Sequence, residues 1–290
     1  MTHWNVQKML AGCAVLGVLM AAPARGEDDR LHVADREGFI RYDRFDERRL
    51  DAKKWYGEQL ATGGSGGLEI VRRVNRHGRL VMRHRVSGGD HSHDGRHISR
   101  NRMRMLDTDA IYGMRFDVKV KRVWMHGCAA EGASKSSVRA RGVMFLFNDG
   151  SSTGSTDARG DVGTVVEVYR STASDGAYDN NNKEMNVRGF LFRCKTTGCG
   201  TSEILDQVDL GTVSRWQWST LGMTWDPERD EVSFRMNDGE DQVIAYDHSD
   251  ADAPVRSNKR LEVRVEGANC TDGGSFAEMK AVFDNVAVQR

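Results

Sequence analysis

The amino-acid sequence predicts an all-β protein built as a two-sheet antiparallel sandwich. About a dozen short stretches alternate or run apolar as strands do, and turn-forming residues separate them. No amphipathic helix longer than about two turns is evident, no composition break marks a domain boundary, and no unit repeats at a fixed period. Many short strands in a chain of 290 residues are typical of one sandwich with long loops at its ends.

The first 24 residues are predicted to form a secretory signal peptide. Lys8 precedes an apolar run at residues 9–20, and the small residues around Ala24 provide a cleavage site. The run is too short to span a bilayer. Its lipoprotein-like box precedes the apolar core instead of following it, which disfavours lipidation. Residues 25–290 are therefore expected to form one exported sandwich domain, periplasmic or extracellular, with no later segment apolar enough to enter a membrane.

The charges of the chain are balanced, with 42 basic and 42 acidic residues. A neutral chain has no net field that would recruit nucleic acid or an anionic membrane, so neither is an expected partner. The sequence leaves the oligomeric state open.

The domain is expected to begin with a strand and a turn, followed by a β-hairpin. Phe45, Leu50 and Trp55 are the expected buried anchors of the first part. Residues 68–74 and 79–86, joined by an Asn-Arg-His-Gly turn, predict the hairpin.

Two alternating strands follow. Residues 98–105 place small polar and methionine side chains on one face, with Arg100, Arg102 and Arg104 on the other. Residues 111–123 alternate in the same way. An arginine stripe along a groove would suit uronate or sulfate groups, because guanidinium binds such anions bidentately. The alternative for the stripe is a solvated sheet face.

The centre of the chain consists of two apolar runs joined by a polar, glycine-rich connection. Residues 143–147 are apolar at every position, so both faces of this strand should be covered by protein. In residues 162–169 one carboxylate interrupts the pattern, and Glu167 shares its face with Val165 and Tyr169. A carboxylate in the middle of a central strand needs a partner, a solvated groove or a function.

The rest of the chain continues the pattern of short strands and turns. Asp-Pro and Asn-Asp-Gly sequences supply turns between them. Further strands are predicted at residues 187–194, 216–225, 231–237, 242–248, 261–266 and 281–288.

Four cysteines remain once the signal peptide is removed, which in an oxidising compartment favours disulfide formation. Cys194 and Cys199 can close a small loop, which leaves Cys128 with Cys270. Four cysteines allow three pairings, and the sequence alone does not choose among them. A zinc site of four thiolates is the alternative, and the absence of a CxxC pair disfavours it.

Four stretches carry a family resemblance. They are FDERRLDAKKW at residues 45–55, GVMFLFND with GTVVEVYRS at residues 142–171, WQWSTLGMTWD with VSFRMNDGE at residues 216–240, and FDNVAV at residues 283–288. In this order they resemble the concanavalin A-like lectin/glucanase superfamily, the jelly-roll sandwich of legume-type lectins, laminarinase-like glycoside hydrolases and several polysaccharide lyases. The resemblance covers nearly all of the mature chain and implies an antiparallel jelly roll, but not an activity.

The resemblance breaks down at the catalytic motif. Laminarinase-like hydrolases carry E-x-D-x-x-E on one strand, where alternation aims carboxylates into the same groove. Here Glu167 stands at the first position, whereas Tyr169 and Thr172 replace the other two acids. Legume-type lectins bind metal through Glu and Asp of a similar V-E-F-D-T segment, and Tyr169 replaces that Asp too. Retaining hydrolysis is not expected, and if the chain is an enzyme, Glu167 and Tyr169 are its candidate catalytic residues.

The candidate ligand-binding residues come from three of the predicted strands. Glu167 and Tyr169 can line a sugar groove together with the Arg102 and Arg104 face, and Trp218 can add a stacking platform. The alternatives are an ion pair between the glutamate and one of the two arginines, and core packing for the tryptophan.

No motif requires a cofactor, although two kinds of loop offer metal ligands. Residues 91–97 contain three histidines and an aspartate, without the helix geometry that would fix two of them. Loops rich in Asp and Asn at residues 148–161 and 175–182 can hold structural Ca²⁺ through hard oxygens, and turn formation explains these residues equally well.

The sequence thus predicts an exported jelly roll that binds a polysaccharide, with binding favoured over catalysis. A polysaccharide lyase or glycoside hydrolase with a divergent motif is one alternative, and a structural envelope protein is another. Geometry distinguishes these classes. Glu167 opening into a groove with an aromatic wall supports binding or catalysis, whereas Glu167 sealed in an ion pair supports a scaffold.

Overall fold

A computed structural model describes most of the chain beyond its first 37 residues. The described residues are 38–62, 69–89, 95–108, 110–129, 134–173, 177–178, 182–247, 253–271 and 274–290. Residues Ala34–Arg290 form one compact unit. The predicted signal peptide lies outside the described residues, and within them no helix is long and apolar enough to cross a membrane.

The predicted all-β class is confirmed, because the described residues form fifteen strands in two antiparallel sheets and no helix. Together they make a jelly-roll sandwich. Sheet A contains β1 (Phe39–Asp43), β3 (Glu69–Val74), β4 (Leu80–Ser87), β6 (Gly113–His126), β11 (Ser219–Asp226), β12 (Glu231–Met236), β13 (Gln242–Ala245) and β15 (Phe276–Gln289). Sheet B contains β2 (Trp55–Thr62), β5 (Arg96–Met105), β7 (Ser137–Asn148), β8 (Asp161–Ser171), β9 (Glu184–Cys194), β10 (Ser202–Ser214) and β14 (Lys259–Ala268).

The strand order brings together segments that are far apart in the sequence. Sheet A runs β13-β12-β11-β6-β15-β4-β3, with β1 also paired to β15. Sheet B runs β10-β9-β8-β7-β14-β5-β2, so that the two central apolar strands β7 and β8 lie side by side. The penultimate strand β14 separates β7 from β5, and β5 is therefore three strands away from β8.

Most strands lie where the sequence predicts them, and the differences at β10 and β11 have structural reasons. The hairpin of β3 and β4 and the alternating strands β5 and β6 are confirmed. The sequence did not predict β10, because this edge strand is largely exposed and carries polar residues on both faces. The strand predicted from residue 216 begins only at Ser219, since Trp216 has a φ of 75° and belongs to a turn.

The hydrophobic core lies between the two sheets and is filled by alternate residues of each strand. On β5 the expected inner residues Met103 and Met105 are buried in this core, whereas the arginines point to the outer face of sheet B. On β7 both faces are covered, as predicted, because Met144 packs in the main core and Val143 joins a separate apolar cluster on the outer face. Because successive residues of a strand point to opposite faces, each strand of sheet B directs alternate side chains into the core and the others to the outer face.

Both disulfides are formed as the loop-closing pairing suggests. Cys194 bonds to Cys199, and Cys128 bonds to Cys270 across 142 residues of sequence. Because all four thiols are consumed, the zinc alternative is wrong. The long-range bond fastens the end of β6 in sheet A to the end of β14 in sheet B, so it joins the two layers of the sandwich.

We predict that Gly189→Ala destabilises the fold by about 1–3 kcal/mol, the usual cost of overpacking. Gly189 on β9 lies opposite the ring of Phe234 on β12, and an added Cβ would overlap this ring. The measurement is the free energy of unfolding in urea. Gly154→Ala is the matched control, since its Cβ would meet open space, and an equal effect of the two substitutions would refute the packing argument.

Candidate functional site

The outer face of sheet B carries a groove of about 830 Å³, here called the sheet B groove. Nine arginines line it, and no lysine does so among the described residues. The arginines are Arg100, Arg102, Arg104, Arg139, Arg141, Arg188, Arg256, Arg260 and Arg264. The neutral charge of the whole chain therefore conceals a strongly cationic surface on one face.

A row of alternating charges crosses six neighbouring strands beneath this groove. The strand register places each member directly opposite the next, so that every arginine in the row is flanked by a carboxylate. From β9 to β2 this alternating row is Arg188, Glu167, Arg141, Glu262, Arg102 and Glu58. Oppositely charged cross-strand neighbours stabilise a sheet, whereas like charges directly opposite destabilise it.

Glu262 is the centre of the alternating row. It is fully buried, and its carboxylate accepts hydrogen bonds from Arg102 Nε at 2.7 Å, Arg141 Nη2 at 2.5 Å and Arg260 Nε at 3.1 Å. Burial acts to raise the pKa of Glu262, but the guanidinium groups of Arg141, Arg102 and Arg260 outweigh it and hold this pKa well below its usual range. Glu262 is therefore a permanent anion at neutral pH.

Glu167 is sealed in ion pairs rather than open to the groove. Its carboxylate is fully buried and accepts hydrogen bonds from Arg188 Nη2 at 2.8 Å and Arg188 Nε at 2.9 Å. Arg141 Nη1 lies 3.5 Å and Arg139 Nε 3.7 Å from it. Burial acts to raise the pKa of Glu167, yet Arg139, Arg141 and Arg188 hold it below its ordinary value. This is the outcome that the scaffold alternative expects of this residue.

Glu167 forms the ion pair with an arginine of a neighbouring strand that the sequence offers as the alternative, but its partners are Arg188 and Arg141, not the suggested Arg102 or Arg104. Arg102 binds Glu262 and Glu58, the latter at 3.0 Å, and Arg104 Nη1 lies 3.5 Å from Glu58. The reason is the sheet order, because two strands, β7 and β14, stand between β8 and β5. Both arginines nevertheless line the sheet B groove.

Tyr169 supports an arginine of the groove. It lies on the same face as Glu167, one row further along β8, and its ring centre is 4.4 Å from Arg188 Cζ. An aromatic ring at this distance attracts the guanidinium through its π face. Arg188 is thus held by the glutamate on one side and by the tyrosine on the other.

Trp218 does not belong to the sheet B groove. Its ring centre lies 4.6 Å from Lys119 Nζ on β6 and 5.1 Å from Arg79 Cζ beside β4. These are residues of sheet A or its turns, so the thickness of the sandwich separates Trp218 from the groove. Trp218 is half-buried and is not one of the buried core residues.

One end of the groove is apolar and is closed by the small disulfide loop. Outer-face residues of β7, β8 and β9 form a cluster there, and Phe145 and Phe192 contact each other edge to face with ring centres 5.4 Å apart. Cys199 packs against this cluster and lines the groove together with Gly198 and Gly200. The groove therefore has an aromatic end and a cationic end.

The loops proposed to bind metal are largely satisfied by protein donors or lie outside the described residues. Residues 91–94 and most of 175–182 are outside them, and His97 Nδ1 lies 3.1 Å from the Ser87 carbonyl oxygen. Asn148, Asp149 and Asp157 each accept a hydrogen bond from the backbone amide two residues on, as the turn alternative expects. Asp161 accepts from the Asn148 side chain and from two backbone amides of a distant segment. Within the described residues, no three His, Cys, Asp or Glu side chains are grouped as a metal site requires.

The lining of the groove fits anion binding better than acid–base chemistry. Among the described lining residues there is no histidine, tyrosine or lysine, and the carboxylate Glu58 is paired with arginines. Thr172, at the position of the last catalytic acid of the hydrolase motif, is 2% exposed. General acid–base catalysis needs a group within hydrogen-bond reach that can change its protonation state.

The chain is similar in fold to solved structures of polysaccharide-active enzymes. A laminarinase from Flavobacterium sp. is 11% identical, with 86% of this chain and 98% of that chain covered and a TM-score of 0.46. A laminarinase catalytic domain from Thermotoga petrophila is 14% identical, covering 86% and 97%, with a TM-score of 0.44. An alginate lyase from Klebsiella pneumoniae is 9% identical, covering 83% and 97%, with a TM-score of 0.42. No protein-family description and no curated protein matches the chain.

These names belong to the classes that the sequence motifs resemble, namely laminarinase-like hydrolases and polysaccharide lyases. Similarity at this level carries no argument about activity. The sandwich architecture itself is established by the strands of this chain.

We predict that Glu262→Gln destabilises the protein by about 3–5 kcal/mol, because the substitution leaves buried guanidinium groups without their counter-charge. Urea unfolding measures the effect. Glu58→Gln, at the less buried end of the same row, should cost about 1 kcal/mol or less. Equal losses for the two variants would contradict the central role of Glu262.

We also predict that stability falls as the pH is lowered below about 5, because carboxylates with lowered pKa then lose their contribution. Three buried carboxylates have folded-state pKa values below their ordinary values, namely Glu262, Glu266 and Glu167. Each of them stabilises the fold when the pH is above its unfolded-state pKa. This contribution is lost as the pH falls through its folded-state pKa. Asp284 acts in the opposite sense, since burial raises its pKa to about 6. Its contribution is present at low pH and is lost as the pH rises through that value.

Urea unfolding between about pH 7 and pH 3 tests this prediction, with wild type and Glu262→Gln compared. The fall should be shallower in the variant, because one of the titrating carboxylates is gone. Parallel curves for the two proteins would show that the alternating row does not govern the acid sensitivity.

Proposed function

We propose that this protein is an exported polysaccharide-binding protein whose sheet B groove takes an anionic glycan. The observation that carries the proposal is a long groove lined by nine arginines, with four glutamates within 4.0 Å of them among the described residues, namely the buried Glu167, Glu262 and Glu266 and the half-buried Glu58. The arginines thus outnumber the glutamates that pair with them.

The chemistry of the lining supports a charged polymer as the ligand. Guanidinium groups bind carboxylate and sulfate groups in a bidentate manner, and they are weakly hydrated enough to do so in a partly desolvated groove. The aromatic end, with Phe190 and Phe192, offers an apolar surface for the C–H face of a sugar ring. A groove of about 830 Å³ is within the size range of ligand sites.

The scaffold alternative accounts for Glu167 but not for the groove above it. A face that served only as a support would pair its charges, as the alternating row does, and would not leave an excess of buried or half-buried arginines. The enzyme alternative needs an acid and a base, and the described lining offers only the paired Glu58. The two disulfides and the signal peptide predicted at residues 1–24 support export of a single domain beginning at residue 25.

We expect the protein to bind anionic polysaccharides in preference to neutral ones, and to bind them more weakly as salt screens the attraction. Calorimetric titration with a panel of neutral and anionic polysaccharides at low and high ionic strength measures both effects. Arg104→Gln, which removes a groove charge that is 38% exposed, should weaken binding, whereas Arg229→Gln in the β11–β12 turn should not.

Two outcomes would contradict the proposal. Absence of binding to every polysaccharide of the panel would remove the binding function altogether. Release of new reducing ends or unsaturated uronates by the wild type, lost in Glu167→Gln or Tyr169→Phe, would establish an enzyme in place of a binding protein.

A further inference from the structure

The longest run of like charges in the sheet B groove is a row of three arginines, whereas Arg260 and Arg104 form a shorter run of two on the other side of the alternating row. Next to the alternating row, on the side towards Tyr169, the register places Arg100, Arg264 and Arg139 directly opposite one another on β5, β14 and β7. Three arginines therefore occupy three adjacent strands without a carboxylate between them. Because adjacent strands lie about 4.8 Å apart, this arginine row extends over roughly 10 Å.

The arginine row is short of counter-charge in the folded protein. Glu266 on β14 lies 2.5 Å from Arg264 Nη2 and accepts a hydrogen bond from Arg139 Nη1 at 2.8 Å, and it is shared with Arg96 as well. Arg100 has no carboxylate within 4.0 Å among the described residues. Like charges opposite each other in a sheet are destabilising, so this arrangement has a cost that a bound anion would offset.

Some hydrogen-bond donors of the arginine row also lack an acceptor among the described residues. The Nε atoms of Arg100, Arg139 and Arg264 are each buried without a hydrogen-bond acceptor in the described structure. Burial lowers the pKa of Arg100, as do the neighbouring Arg141 and Arg102, whereas Glu262 and Glu266 act to raise it. Burial likewise lowers the pKa of Arg264 to about 9, so Arg264 stays cationic at neutral pH. Unsatisfied buried donors are rare in proteins, and an anion accepting from this row would supply what is missing.

We propose that the arginine row of Arg100, Arg264 and Arg139 is a subsite for sulfate esters, and that the ligand of the sheet B groove is a sulfated polysaccharide. This inference rests on the proposed polysaccharide-binding function and names the chemical group that the groove selects. A sulfate ester presents three terminal oxygens, which matches three guanidinium groups approaching from three strands. A uronate carboxylate presents two.

The composition of the lining favours sulfate over carboxylate as well. All nine cationic lining residues are arginines. Guanidinium is less strongly hydrated than an ammonium group, and it pairs best with anions that also give up water readily. A sulfate ester is such an anion, and it retains its charge in acid, where a uronate is neutralised near its pKa of about 3–4.

Dextran sulfate, carboxymethyl dextran and unmodified dextran, with matched chain length and degree of substitution, test the inference on one backbone. We expect calorimetric titration to show dextran sulfate bound about tenfold more tightly than carboxymethyl dextran at neutral pH. Binding of dextran sulfate should persist at about pH 4, where the carboxylates of carboxymethyl dextran begin to protonate. Carboxymethyl dextran bound as tightly as dextran sulfate would overturn the sulfate subsite while leaving the proposed binding function intact. Failure of both charged polymers to bind would remove the sulfate subsite and count against the proposed function, which the panel of natural polysaccharides tests separately.

The Arg100→Gln variant tests whether the sulfate group binds at the arginine row. Because Arg100 has no carboxylate within 4.0 Å among the described residues, the variant breaks no ion pair there; the thermal midpoint should be unchanged or higher, and loss of folding is not the expected complication. Affinity for dextran sulfate should fall about fivefold or more, and Arg100→Lys, which keeps the charge but not the planar fork, should restore only part of it. Arg229→Gln is the charge-matched control outside the groove. An affinity loss in Arg100→Gln no larger than in Arg229→Gln would show that the arginine row is not the subsite.

Discussion

The pairing of Glu262 with the arginines around it is the interaction on which the outer face of sheet B depends. The alternating row crosses six of the seven strands of the sheet, and each of its ions meets its partner only if every strand keeps its register. A slip of one residue would turn these side chains into the hydrophobic core and bring core residues out. A buried charge without its partner is costly, so the row penalises every alternative pairing of these strands. Specificity of register is thus encoded by charge on one face and by apolar side chains on the other.

This arrangement also explains why the position of a hydrolase carboxylate carries no free acid here. Glu167 occupies the place on β8 where the resemblance would put a catalytic group, but Arg188, Arg141 and Arg139 surround it. Its role is to hold guanidinium groups at the floor of the groove, and the glutamates at the centre of the sheet do the same. The consequence is a surface whose cations are fixed in place before a ligand arrives, which lowers the ordering cost of binding.

The sequence predicts faces of strands well and neighbours of strands poorly. Alternation on β5 assigned Arg100, Arg102 and Arg104 to one face, and the structure agrees, because the period of two is a local property of the chain. The same signal was present around Arg139 and Arg264, each between inward-facing apolar residues, and would have found more of the groove. The separation of Glu167 from Arg102 and Arg104 was not predictable, since it depends on β14 inserting between β7 and β5 from a distant part of the chain. The partners that Glu167 does have, Arg141 and Arg188, lie on the sequence-adjacent strands β7 and β9. Trp218 was misplaced for a similar reason, because its turn leads into the other sheet.

The balanced composition of the chain has a different meaning once the groove is known. The groove arginines outnumber the glutamates paired with them although basic and acidic residues are equal in number over the whole chain, so the charge of the protein is unevenly distributed. Such a molecule is not drawn towards a polyanion by net attraction at long range, but it is rotated by the field of the polymer as it approaches. On the proposed function, orientation precedes contact, and the groove is the part of the protein that faces an anionic chain at the moment of encounter.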